Sequence, residues 1–476
     1  MTQDQTYTLI AAGTGFATTF FLRRFLAEAG SDVRILVLER GPNMSGQQLI
    51  DALPDEPLSS EPLIETQSGF GKNWRFSVGF GGGSNCWWAC TPRMLPNDFR
   101  LKSLYGRGED WPISYDDLEP YYSEAEAVMA IAGPDATPWP MSRPYPQGPH
   151  RLSEPDRILQ AHFGDAYIPQ PTARSRDGTE NRSACCANGV CSNCPVNAKF
   201  TIETEMGEVY ADPRVTLLTG AEVLQVVTEG GLATGVRYRE QGREVEARGD
   251  LVALGANAIF NPAILLASGF EDPALGRYLT EQCGVEAHIL LDGVKNFSGS
   301  TVITANGFMF YDGPHRAERA GCMVESFNRG KLRLDYGRWA ETISMRLIYE
   351  DEPQADNRVV LGADGRPVAI YEARSPYAEA GIATAQATFE ELLAPLPVES
   401  FQLLDPTKNE AHVLGTARMG NDPATSVVDA DLMHHRVRNL LVLGGSSFVT
   451  CAPANPTLTL SALSLRAAAR LFGDSD

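Results

Sequence analysis

The chain has 476 residues, 43% of them hydrophobic, which is enough for a large core and more than one packed layer. Its formal net charge is −20, which repels phosphate backbones and anionic bilayers, and no Lys/Arg-rich block points to nucleic acid. No apolar run is long enough to span a bilayer and no secretory leader is visible, so no membrane insertion and a cytoplasmic location are expected.

In chain order, residues 8–12 spell a short buried strand, and Gly13-Thr14-Gly15 a tight turn. From residue 16 to 29 apolar side chains recur at helical spacing, and residues 33–38 form a second strand ending at Glu39. This is a strand–helix–strand opening. Residues 42–70 read as irregular, 79–91 hold a Gly-rich loop, 113–132 look helical, and 133–184 read as Pro-, Arg- and Asp-rich loop. Strands are expected at 215–219, 222–227, 235–240 and 244–248, then a separate buried strand at 251–256 and a helix at 262–268. Residues 271–405 mix strand patterns with charged turns and read as mainly β. The tail returns to a buried strand at 440–443, a Gly444-Gly445 turn and a helix at 456–471. The fold class is therefore α/β, or α+β overall, with a second domain. Its boundaries are expected at 1–270 with 406–476 for one domain and 271–405 for the other.

Gly13 and Gly15 sit between a strand and a helix. The first permits the turn, and the second lets the backbone approach a pyrophosphate at the helix N-terminus. Glu39 stands where a carboxylate accepts hydrogen bonds from a ribose diol. Thr18 occupies the third glycine position of this fingerprint, a departure that suggests looser helix–strand packing. A dinucleotide is implied, and NAD and FAD both remain open on this motif alone.

Further segments decide between them. Residues 13–39, Gly81-Gly82-Gly83-Ser84-Asn85, residues 250–269, the run from His412 to Gly420, and Ala454-Asn455-Pro456-Thr457 follow one another in order. Together they resemble the glucose–methanol–choline (GMC) oxidoreductase family. Residues 84–92 with Gly444-Gly445 are most similar to its pyranose oxidase and FAD-dependent glucose dehydrogenase branch. The resemblance implies a Rossmann-like FAD-binding domain and a mainly β substrate-binding domain. It places Gly13 and Gly15 at the pyrophosphate, Glu39 at the ribose and Val223 at the adenine. It places Ser84, Asn85, Gly445, Ser446, Pro456 and Thr457 around the flavin ring.

The same resemblance makes His412 the catalytic base and Asn455 its partner, with hydride passing from the alcohol carbon to flavin N5. A neutral imidazole is a good proton acceptor near pH 7, and an amide can hold the developing alkoxide but cannot take its proton. His434 and His435 sit in a polar turn and read as structural. Where the pyranose oxidase branch carries a histidine bonded to the flavin, this chain has Cys86, so non-covalent FAD is expected. Trp87 and Trp88 follow it and could line the pocket or simply pack.

Cys185, Cys186, Cys191 and Cys194 fall within ten residues, four of nine cysteines in the chain. The pattern is similar to one that holds a [3Fe–4S] cluster in bacterial FAD-dependent glucose dehydrogenases, though one residue shorter before the last cysteine. A [3Fe–4S] or [4Fe–4S] cluster, unliganded thiols near the flavin, and zinc or a disulfide all stay open. A cluster would imply an electron-accepting partner protein or small subunit. Lys199 follows the cysteines as a pocket residue or a surface charge.

The function expected is oxidation of a CH–OH group on a sugar, glycoside or aminosugar, a small-molecule substrate. The alternatives are an oxidase of aryl, aliphatic or sterol alcohols using oxygen, and a non-catalytic flavoprotein subunit.

Overall fold

The computed structural model describes residues 6–44, 48, 63–187, 189, 191, 193–328 and 339–473. Most of the irregular stretch expected after residue 44 therefore lies outside the described residues, as do positions 188, 190 and 192 of the cysteine segment.

The opening strand Thr6–Ala12 is the centre of a seven-stranded sheet. It pairs in parallel with Ile35–Glu39 on one side and with Arg243–Leu254 on the other. Val215–Thr219 extends the sheet beyond Ile35–Glu39, and Leu440–Val442 pairs in parallel with the last residues of Arg243–Leu254. Ala221–Glu229 and Leu232–Glu240 form an antiparallel meander that leads into Arg243–Leu254. The helix Phe16–Glu28 buries its apolar side chains here, packed against the C-terminal helix Thr457–Leu471.

Two differences from the sequence reading have local causes. The strands expected at 244–248 and 251–256 are one strand, Arg243–Leu254. Gly249 inside it is not a turn residue: a Cβ there would lie 2.8 Å from the Ile10 side chain, so the glycine serves close strand packing. The helix expected from Pro262 begins earlier, at Asn257. Asn257 Oδ1 accepts the amides of Ile259 and Phe260 at 2.8 and 3.1 Å, capping the first turn. Proline at 262 cannot donate to the Ala258 carbonyl, and the Thr416 hydroxyl donates to it instead at 2.7 Å.

A second sheet of six antiparallel strands runs in the order Val398–Leu403, Cys283–Leu291, Thr342–Tyr349, Cys322–Phe327, Ile303–Gly307 and Tyr167–Pro169. Alternate residues such as Val285, Val324 and Leu347 face a core shared with Phe389 and Leu392 of the helix Ala385–Leu393. The intervening residues Glu286, Glu325 and Arg346 therefore share the other face, and strand register puts Arg346 opposite both carboxylates. The last strand comes from the stretch read as loop. There Ser153 caps the helix Glu154–Phe163 in a reciprocal pair with Asp156, whose carboxylate also accepts from Tyr167 and Thr304. A small three-stranded sheet joins Arg358–Leu361, Pro367–Tyr371 and Glu65–Ser68. No described helix is long and apolar enough to cross a membrane.

Candidate active site

A cavity of about 550 Å³ runs from the first sheet's C-terminal strand ends to the polar face of the second sheet. Gly13, Thr14, Gly15, Glu39 and Val223 line one end, and Glu325, Arg346, His412 and Asn455 line the other.

At the first end Gly13 has φ of 86°, and a Cβ on it would lie 2.7 Å from the Gly255 carbonyl oxygen. Gly15 opens the helix Phe16–Glu28 without a side-chain cap and without an acid in the first turn. The positive end of that helix is thus left for an anion. No atom lies within 4 Å of a Cβ built on Gly15 or Gly83, so both glycines face open space along the cavity. Glu39 is buried and accepts from Thr14 N and Oγ1 at 3.1 and 2.8 Å and from Gly41 N at 2.8 Å. These bonds tie the second strand's end to the turn. Uncapped helix, glycine cradle and terminal acid together fit a dinucleotide.

Thr18 does not loosen the helix packing. Its hydroxyl donates to Ala12 O at 3.2 Å, and Gly255 makes room for it: a Cβ on Gly255 would lie 2.1 Å from Thr18 Oγ1. The small residue has moved from the helix to the position just after the neighbouring strand.

Three residues expected around a flavin ring lie just behind the cavity wall. Ser84 Oγ donates to Gly81 O at 2.7 Å and accepts from Ile202 N at 3.1 Å, while Asn85 donates to Phe80 O at 2.8 Å. Ser446 Oγ donates to Leu443 O at 3.2 Å and accepts from Asn261 at 2.8 Å. They hold two turns whose Gly82, Gly83, Gly444 and Gly445 line the cavity. Pro456 and Thr457 line it at the start of the last helix.

His412 is held at the opposite end. Its backbone amide donates to Glu281 Oε2 at 3.1 Å, and its Nδ1 lies 2.9 Å from Gln282 Oε1. Glu281 is anchored in turn by the buried Lys72 ammonium. Burial, and to a lesser degree the Arg346 charge, lower the imidazole pKa from 6.5 to about 4, so His412 is neutral at pH 7. Asn455 donates to Glu325 Oε1 at 3.4 Å, and its Oδ1 is buried without a partner. Asn455 lines the cavity, and its orphaned Oδ1 is what a donor group of a bound molecule would satisfy.

Sequence reasoning missed Glu325, Arg346 and Glu410, which line this end. Arg346 is clamped by Glu286 at 2.8 Å and Glu410 at 2.9 Å. For Glu325 and Arg346 the signal was a charge inside a strand otherwise rich in apolar residues, whereas Glu410 lies in the irregular stretch before His412. Two cavity-lining charges paired across neighbouring strands mark a functional face rather than a solvent one.

Cys86, Trp87 and Trp88 also line the cavity. Trp87 packs edge-on against Phe16, with centroids 4.6 Å apart. Lys199 is a buried clamp rather than a surface charge: its ammonium donates to Asn85 O at 2.8 Å and Trp87 O at 3.3 Å. His434 bonds Asp272 at 3.1 Å and accepts two backbone amides, and His435 bonds Ser426, so both are structural.

The metal expectation at Cys185, Cys186, Cys191 and Cys194 is not supported. Among the described residues no three His, Cys, Asp or Glu side chains are grouped to hold an ion. Cys186 is exposed and Cys191 buried, and Cys194 Sγ accepts the Ala198 amide at 3.3 Å.

Two family profiles, both described as GMC oxidoreductase, match residues 72–283 and 351–464, together well over half of the chain. The chain belongs to the GMC oxidoreductase family. The large subunit of fructose dehydrogenase from Gluconobacter japonicus is 28% identical over 452 residues, 83% of this chain and 80% of that one. The 6'''-hydroxyparomomycin C oxidase of Streptomyces lividus is 27% identical over 506 residues, 98% of this chain and 91% of that one. The crystal structure of pyridoxine 4-oxidase from Mesorbium loti shares the fold, with a TM-score of 0.67 at 16% identity over 99% of this chain and 100% of that one. As a GMC oxidoreductase this protein is an FAD-dependent enzyme of the alcohol-oxidising kind.

Proposed function

We propose that this GMC oxidoreductase oxidises a CH–OH group of a sugar, glycoside or aminosugar to a carbonyl, with His412 as base. The observation that carries the reading is a neutral, half-buried imidazole that lines the same cavity as Asn455 and the dinucleotide turn. FAD bound along the cavity supplies the hydride acceptor. His412 Nε2 takes the hydroxyl proton, and the second amide hydrogen of Asn455 holds the oxygen it leaves. The polar wall of Glu325, Arg346 and Glu410 favours a substrate with several hydroxyl or amino groups over a sterol or aryl alcohol. The names of the fructose and hydroxyparomomycin enzymes support the same class.

Residues 1–270 and 406–476 form the flavin-binding part and 271–405 the substrate-binding part, with Tyr167–Pro169 reaching from the first into the second sheet. Ser84, Asn85 and Ser446 act on the cofactor through the glycine turns they hold. FAD is non-covalent: burial pushes the Cys86 thiol above its ordinary pKa, away from the nucleophilic thiolate. A relative that is the large subunit of a dehydrogenase supports electron delivery to a partner subunit.

The test is anaerobic titration of the FAD-loaded protein with D-fructose, D-glucose, D-glucosamine and benzyl alcohol. Bleaching by a sugar and not by benzyl alcohol is expected. Bleaching by benzyl alcohol alone overturns the substrate class, and bleaching by none overturns the reading. Acid precipitation of the same sample should leave a colourless pellet; a yellow one contradicts dissociable FAD. Peroxide release at the full rate of sugar oxidation would contradict the partner subunit.

A further inference from the structure

Gln282 packs directly behind the His412 ring. It is buried and makes three hydrogen bonds through one amide. Its Nε2 donates to Ala452 O at 2.9 Å and to Ala454 O at 3.0 Å. Its Oε1 lies 2.9 Å from His412 Nδ1.

Two carbonyls on one side settle which way the amide points, because only its NH2 can donate to both. The oxygen is then the sole atom left for the imidazole. An amide oxygen accepts and cannot donate, so His412 Nδ1 must carry the hydrogen. In a neutral ring Nε2 is then the bare lone pair. The carbonyls also belong to the residues leading into Asn455. One side chain thus fixes the tautomer of the histidine and the position of the segment that presents the asparagine.

We infer that Gln282 is a positioning residue that locks His412 in its Nδ1–H tautomer and ties it to the Asn455 segment. This deepens the proposed reading of His412 as base and rests on it for its catalytic meaning, but not for its tautomer. An amide does this without charge. The charged groups nearby are Arg346 from the second sheet, the Lys72 and Glu281 pair behind the His412 backbone, and Glu410 two residues before it. Of these Arg346 opposes protonation of the ring, and the neutral Gln282 adds no carboxylate to offset it. A glutamate would accept the same hydrogen and favour imidazolium, at the loss of both donations to the carbonyls.

The experiment needs no known substrate. Nitrogen-15 spectra of histidine-labelled, FAD-loaded protein at pH 7 report each ring's tautomer, and His412 is assigned by the signal missing from His412→Asn. The wild type should show a single Nδ1–H form. An Nε2–H form, or a mixture, would overturn the inference. Gln282→Leu should release the lock and give a mixed or inverted signal, and an unchanged signal would again overturn it. Gln282→Glu should keep the Nδ1–H form while its protonation midpoint rises by at least one pH unit; a midpoint that stays in place contradicts the account. With D-fructose, D-glucose and D-glucosamine as probes, Gln282→Leu should reduce its flavin at least about 100-fold more slowly than wild type. Equal rates in Gln282→Leu with a dead His412→Ala defeat this inference alone, whereas a fully active His412→Ala defeats the proposed function.

Discussion

An imidazole with an ordinary pKa of 6.5 is partly protonated near neutrality and a poor base in that fraction. His412 escapes this because burial and Arg346 hold it at about 4. The folded state therefore binds the proton less readily than the unfolded chain does. Stability from this site is fully present above about pH 6.5 and falls as the pH drops toward about 4. The rate of flavin reduction should keep its plateau down to about pH 5 and lose it with an acid limb near 4. A pre-steady-state pH profile checks this, and a limb at 6.5 would contradict the assigned environment. His412 and Asn455 were legible in the sequence because their motifs are local and ordered. Gln282, Glu325 and Arg346 were not, since what matters about them is which distant segment they meet. Gln282 meets His412 and Arg346 meets Glu286 only when separate segments pack, which no local pattern encodes.

At the scale of elements, the opening strand, turn and helix were readable from apolar spacing and two glycines. The replacement at Thr18 was readable as a departure, but its compensation was not. Gly255 directly follows the strand Arg243–Leu254, some 240 residues away, and meets Thr18 only when the sheet forms. The pair makes a testable unit. Gly255→Ala should destabilise the protein by about 2 kcal/mol and weaken FAD retention, because its Cβ collides with Thr18 Oγ1. Adding Thr18→Ala should restore most of that loss, although Thr18→Ala alone removes the bond to Ala12. Thermal melts of the two single variants and the double variant read the coupling. Additive losses would mean that the two residues do not meet. The Thr416 bond to the carbonyl beneath Pro262 is the same kind of case, a helix break on paper that a distant hydroxyl repairs.

For the whole molecule, the cavity is the meeting place of two sheets that neither sheet could form alone. The seven-stranded mixed sheet leads into the glycine turns and the open helix end. The antiparallel sheet supplies the charged wall, and the C-terminal segments carry His412 and Asn455 between them. The mainly β character of the second part was legible from strand patterns mixed with charged turns. Its sixth strand was not, because Tyr167–Pro169 is too short and too loop-like in composition to announce itself. A cofactor held by both parts should stabilise the fold by linkage, so FAD loading should raise the melting temperature of the wild type and of His412→Ala alike. Those two proteins give the most direct measurement of the central claim. His412→Ala, loaded with FAD and mixed anaerobically with whichever of the sugar probes bleaches the wild type, should keep its yellow flavin band and its FAD-dependent rise in melting temperature. Its flavin should bleach at least about 100-fold more slowly. Bleaching at the wild-type rate would show that His412 is not the base.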